Sequence, residues 1–154
     1  MKFKQVDLTK INKSARKVTK VFLHCSDSDH AHHDNAETIE AWHKERGWSG
    51  IGYHFFVQKN GTIQYGRDIE LVPAAQKGHN TGSIAICVHG KDIAKFTKEQ
   101  RASLVALCLT LNKLYKGGLT FHGHKEVEPN KACPVFNYKL WLRLDKDGRM
   151  GTVL

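Results

Sequence analysis

Apolar positions in this chain fall into short runs separated by polar loops. Val21-Phe22-Leu23 closes on His24, and Ile84-Ala85-Ile86-Cys87-Val88 is apolar throughout, so each reads as a buried strand, the first over about 19–24. Residues 53–58 and 62–65 read as two further strands joined at Asn60-Gly61, a pair whose readiness to take positive φ suits a tight hairpin, and 119–122 as a fifth. A helix is expected from about Asn35, with Ile39 and Trp42 facing the core and Gly47 ending it. Thr97-Lys98-Glu99-Gln100 is a capping box that opens a longer helix, with Leu104, Leu107, Cys108, Leu111 and Leu114 on one face and Gly117-Gly118 as its stop. A short last helix is expected over 138–144.

Strands interleaved with helices predict a sheet covered by helices, and the hairpin requires part of that sheet to be antiparallel. The expected fold class is therefore α/β: a single domain with a central mixed β-sheet flanked by helices. The expected organisation is a basic N-terminal lead over 1–18, a catalytic domain over 19–145 and a polar C-terminal tail over 146–154, with no internal repeat or low-complexity linker.

Composition narrows the class. At 154 residues, 40% hydrophobic and 25% charged, the chain fits one ordinary globular domain. Lys2, Lys4, Lys10, Lys13, Arg16, Lys17 and Lys20 enclose no apolar stretch long enough for a signal-peptide core or a membrane span, which predicts synthesis as a cytosolic species. The net charge of +9 is spread along the whole chain and accompanies no nucleic-acid-binding motif, so it fits either a general affinity for polyanions or an anionic partner such as the bacterial envelope. The four cysteines show no C-x-x-C spacing; Cys87 and Cys108 sit in apolar context as small hydrophobes, leaving Cys133 in ligand context.

The stretch 123–134, Gly-His-Lys-Glu-Val-Glu-Pro-Asn-Lys-Ala-Cys-Pro, places an imidazole, an ammonium and a thiol in one short loop. Those are parts of a hydrolytic zinc site, which takes three protein ligands and keeps a fourth position for water. His24, at the polar end of the first strand, supplies the ligand from outside the loop. His122 and His124 are two apart, so on an extended strand both point to one face and spacing does not choose between them. Glu126 is a candidate to orient a ligand ring or to anchor the loop. His30, His32 and His33 have no regular ligand spacing and read as solvated loop residues.

Together with Phe22-Leu23-His24-Cys25-Ser26, Trp42-His43-Lys44-Glu45-Arg46-Gly47-Trp48, Gly52-Tyr53-His54-Phe55, Lys59-Asn60-Gly61-Thr62, Gly66-Arg67-Asp68, Asn80-Thr81-Gly82-Ser83-Ile84 and Lys131-Ala132-Cys133-Pro134, nearly the whole chain resembles the zinc-dependent N-acetylmuramoyl-L-alanine amidases, above all the endolysins of T-odd phages. The resemblance implies a Zn²⁺ cofactor held by His24, His124 and Cys133, with Tyr53 and Lys131 as catalytic residues. It also implies peptidoglycan as substrate, reached through a phage-made membrane lesion, and a monomer with a phage RNA polymerase as a second partner. The alternatives are a non-catalytic peptidoglycan-recognition module and a transcription regulator of the same fold. The chain departs from the pattern at Ala75-Gln76-Lys77-Gly78-His79-Asn80, where many amidases of this class carry a His before Lys-Gly-x-Asn, so substrate contacts there do not carry over.

Overall fold

The run that is apolar throughout takes the centre of the sheet. In the computed structural model, which describes residues 3–151, strands β1 (Lys20–Cys25), β2 (Phe55–Val57), β3 (Ile63–Tyr65), β4 (Ser83–Val88) and β5 (Thr120–Gly123) lie in the order β3-β2-β4-β1-β5. Every residue of β4 is buried, as a parallel strand covered on both faces requires. The pairs β2–β4, β4–β1 and β1–β5 are parallel and β2–β3 is the antiparallel hairpin, so the sheet is mixed as expected.

Period-two alternation divides the sheet residues between two cores. Val21, Leu23, Phe55, Val57, Ile84, Ile86 and Val88 pack with Leu104, Leu107, Cys108 and Leu111 of helix α2 (Lys98–Leu114), while Phe56 and Cys87 pack with Ala36 and Ile39 of helix α1 (Ala36–Glu45). His24, one residue past Leu23, is turned to the α1 side by the same alternation. Asn35 caps α1 by accepting from Thr38 N–H at 2.8 Å, and Thr97 and Gln100 form the expected capping box on α2.

Three local expectations change. The hairpin loop runs Lys59-Asn60-Gly61, closed by Gln58 N–H to Thr62 O and Gly61 N–H to Gln58 O, both 2.8 Å, and Gly61 alone of the pair takes positive φ, +89°. Trp42 packs against the smaller core but is only half-buried, because it also borders a groove, and it is the next residue, His43, that is buried. The last helix, α3 (Tyr138–Trp141), is shorter than expected because Arg143 takes a φ of +51°, outside the helical range.

The lead and the tail cover the free edges of the sheet. Gln5 bridges Gln64 of β3, Val6 N–H donates to Ile63 O at 2.7 Å, and Val6, Ile11 and Val18 join the larger core. At the opposite edge Phe121 N–H donates to Gly148 O at 2.8 Å. Residues 1–2 and 152–154 of these segments lie outside the described residues. No helix among the described residues is long and apolar enough to cross a membrane.

Because Ile11 is 8% exposed and packs in the core, Ile11→Ala is expected to lower the unfolding free energy by about 3 kcal/mol in urea titration. An unchanged midpoint would make the lead an appendage rather than part of the fold.

Candidate active site

The parallel register of β1 and β5 builds the site. Phe22 pairs with His122 and Leu23 with Gly123, so one step further along both strands His24 and His124 emerge side by side, their ring centroids 4.5 Å apart. His122 lies a strand period behind, against Phe22 at 5.3 Å. Cys133 is brought over the end of β1 by two backbone anchors: its Sγ accepts from Cys25 N–H at 3.0 Å, and its carbonyl accepts from Lys125 N–H at 2.9 Å. Gly123 is required for this approach, since a Cβ there would lie 2.6 Å from the Tyr138 ring and 2.9 Å from Pro134.

One donor atom from each of His24, His124 and Cys133 lies within 4.8 Å of the others, the one such group among the described residues, and it could hold a metal ion. His24 is 1% exposed; its Nε2 meets Gln76 Oε1 at 2.9 Å, and its Nδ1 is buried without a hydrogen-bond partner. His124 Nε2 meets Glu128 Oε1 at 2.6 Å. Each ring thus has one nitrogen engaged and Nδ1 left as the free donor. Burial, and then the neighbouring His124, hold the His24 imidazole neutral, with its pKa pushed down to about 3. The Cys25 thiol hydrogen-bonded to it, followed by burial, pushes the Cys133 thiol up, whereas coordination to a divalent cation acts the other way and deprotonates a thiol.

A groove of about 380 Å³ opens over His124 and Cys133, lined also by Trp42, His43, Arg46, Tyr53, Asn130 and Lys131, with His24 buried behind it. The Tyr53 ring is 5.0 Å from that of His24, and burial raises its phenol well above the usual tyrosine value. Just before Tyr53, Gly52 packs against the 74–75 loop, where a Cβ would meet the Ala74 carbonyl at 2.1 Å. Lys131 lies on the exposed rim, its backbone N–H donating to Glu128 O at 2.9 Å.

Residues 14–136 match the family model described as N-acetylmuramoyl-L-alanine amidase. The chain belongs to that family. The amidase is 40% identical over 127 residues to the endolysin of Escherichia phage T7, covering 79% of this chain and 83% of that one, and 35% identical over 132 residues to the endolysin of Klebsiella phage KP32, covering 82% and 86%. Among solved structures it is similar to the N-acetylmuramoyl-L-alanine amidase LysCS of Clostridium intestinale, with a TM-score of 0.73, 30% identity and 83% of each chain covered. A chain of the complex of peptidoglycan recognition proteins LCa and LCx with tracheal cytotoxin shares the fold at a TM-score of 0.69 and 22% identity, covering 79% of this chain and 78% of that one. Amide-bond hydrolysis is therefore the activity of this chain.

The structure of the amidase separates the two acidic residues of the loop. Glu126 holds the other histidine, with Oε1 3.0 Å from His122 Nδ1, and accepts from Gly123 N–H at 2.7 Å and from the Tyr138 hydroxyl; it anchors the loop. Glu128 is the one that meets the His124 ring, and its only sequence signal was four-residue spacing from His124. Gln76 was equally unflagged, since nothing local connects it with a ring 52 positions earlier. His30, His32 and His33 cluster with ring centroids 4.1 to 5.2 Å apart, but their nitrogens do not converge as a ligand set.

Two further buried histidines are held neutral. His43 Nδ1 accepts from Gly52 N–H at 2.9 Å and His54 Nδ1 from Ala85 N–H at 3.1 Å, and burial before any other cause pushes both pKa values down to about 4. An unfolded histidine titrates near 6.5, so between about pH 6.5 and 4 the unfolded chain binds protons that the native one does not, and stability falls as pH falls through that window. Urea midpoints of the metal-free protein are expected to drop steadily from about pH 6.5 to 4. A flat profile there would mean that these rings protonate without disturbing the fold.

Proposed function

We propose that this chain is a phage endolysin that uses zinc to hydrolyse the amide bond between the lactyl group of N-acetylmuramic acid and L-alanine of the peptidoglycan stem peptide. The observation that carries the reading is the convergence of two imidazoles and a thiol on one point, with a buried and unpartnered His24 Nδ1 aimed at it. A closed structural site would have four protein ligands; three under an open groove fit a catalytic zinc, with His24, His124 and Cys133 as ligands. A zinc ion held there by the Cys133 thiolate and the two neutral imidazoles would have a net charge of roughly +1 and would supply Lewis-acid polarisation of a carbonyl and acidification of water near neutral pH.

The remaining work falls to side chains of the groove. Tyr53 stays protonated at neutral pH and offers a hydroxyl that positions the attacking water and relays its proton. Lys131, two residues before Cys133, brings its ammonium to the carbonyl oxygen, where negative charge develops in the tetrahedral stage. The half-buried Trp42 and buried Ile39 give the groove an apolar wall for the uncharged parts of the substrate. The complete donor set favours the enzyme over a recognition module of the same fold. As a monomer made in the host cytoplasm, the protein would reach the cell wall through a membrane lesion made by another phage component.

The purified protein is expected to contain about one zinc per chain by elemental analysis, and chelation should abolish release of peptide from purified peptidoglycan. Cys133→Ser should lose the metal and His122→Ala should keep it; retention in His124→Ala with loss in His122→Ala would reverse the ligand assignment. Lys131→Ala and Tyr53→Phe should retain zinc but lose about 10²-fold or more in rate. Normal turnover in either variant would leave that residue a structural role.

A second partner, the phage's own RNA polymerase, rests on the resemblance to T-odd endolysins and on the exposure of Lys4, Lys10, Lys13 and Lys17 along the lead. Because the lead packs in the core, charge substitution tests this better than deletion. Changing Lys10, Lys13 and Lys17 to Gln should relieve inhibition of transcription in vitro while leaving amide hydrolysis intact, and the wild-type effect should weaken with salt. A polymerase that the wild-type protein leaves unaffected at low salt would remove this partner.

A further inference from the structure

The segment that departs from the family pattern, Ala75 to Asn80, carries a group that no motif assigns. We propose that Gln76 is a positioning residue: its side-chain amide fixes His24 in the Nε2–H tautomer, so that Nδ1 is the nitrogen presented to the metal. The inference rests on the zinc reading for its consequence, but not for its geometry.

The orientation of the amide is determined by its neighbours. Gln76 is fully buried, and its Nε2 lies 3.2 Å from the His79 carbonyl oxygen and 2.8 Å from Ser83 Oγ. A carbonyl oxygen can only accept, and the Ser83 hydroxyl spends its hydrogen on Asn80 O at 2.8 Å, so both require a donor from Gln76. The –NH₂ group therefore faces them, and Oε1 faces His24 Nε2 at 2.9 Å. An amide oxygen also only accepts, so the His24 hydrogen is on Nε2. A neutral imidazole has one N–H, which leaves the lone pair on Nδ1, the atom that is buried without a partner.

The loop is built to hold this amide in place. Asn80 Oδ1 accepts from Ala75 N–H at 3.0 Å and from Gln76 N–H at 2.9 Å, while His79 N–H closes onto Gln76 O at 2.8 Å. Glu128 plays the same part for the other ring, its Oε1 lying 2.6 Å from His124 Nε2. The two partners differ as their surroundings require: the Glu128 side chain is 28% exposed and can carry a charge, whereas Gln76 is 0% exposed, where a neutral acceptor avoids burying one.

Long-range ¹H–¹⁵N correlation of the imidazoles in the metal-free wild-type protein should assign His24 as the Nε2–H tautomer. A His24 found as Nδ1–H overturns the proposal whatever the variants do. Gln76→Leu, which removes the acceptor, should give mixed tautomers and weaken zinc binding about 10- to 100-fold in competition with a chromophoric chelator. A folded Gln76→Leu protein with wild-type zinc affinity and an unchanged tautomer also overturns it. If the wild-type chain binds no zinc, the metal reading fails, while the tautomer measurement still decides the role of Gln76.

Discussion

The in-register parallel pairing of β1 with β5 is the constraint on which the site depends. Two histidines 100 positions apart become neighbours because Leu23 pairs with Gly123 and both strands continue one residue beyond that last β1–β5 pair. A slip of a single residue would turn one ring to the opposite face, into the apolar core on α2, and the donor set would not exist. Burial on both faces protects the register: Val21, Leu23 and Phe121 are committed to the larger core, while Phe22 meets the His122 ring on the other side.

Around that pairing, the buried histidine rings of the site region meet partners of suitable charge. Neutral rings at His43 and His54 accept backbone N–H groups, and Gln76 meets His24 with a neutral amide. Charged partners, Glu126 and Glu128, occur where the loop reaches solvent. This follows the cost of desolvation, which is modest for a hydrogen-bonded amide and large for an isolated carboxylate. The site is consequently assembled without a buried net charge, and the unpartnered lone pair of His24 Nδ1 is available to a cation.

The groove adds what an amide hydrolase of this family needs around such a centre. Cationic side chains, Lys131 and Arg46, border it, together with the aromatic rings of Trp42 and Tyr53. A positive field at the mouth suits both an anionic cell-wall polymer and the negative charge that develops on a carbonyl oxygen under attack. The net charge of +9 reinforces that field over longer range.

Much of this was legible in the sequence. The apolar runs gave the strands, Thr97 and Gln100 gave the start of α2, and the 123–134 stretch grouped an imidazole, an ammonium and a thiol in one loop, because each signal is local and lies within a few residues. Spacing alone did not choose between His122 and His124, since the two occupy the same face of a strand; the resemblance named His124, and only the register with β1 gives the physical reason. Of the ring partners, Glu128 carries only its four-residue spacing from His124, and Gln76 is 52 positions from the ring it meets. Nor did the sequence reveal that the basic lead and the polar tail cover the two sheet edges, because backbone pairing across an edge leaves no side-chain pattern. Sequence determined which elements form and which residue types the site contains; tertiary structure decided which of them meet, because strand register and long-range hydrogen bonds are properties of pairs of segments rather than of either one.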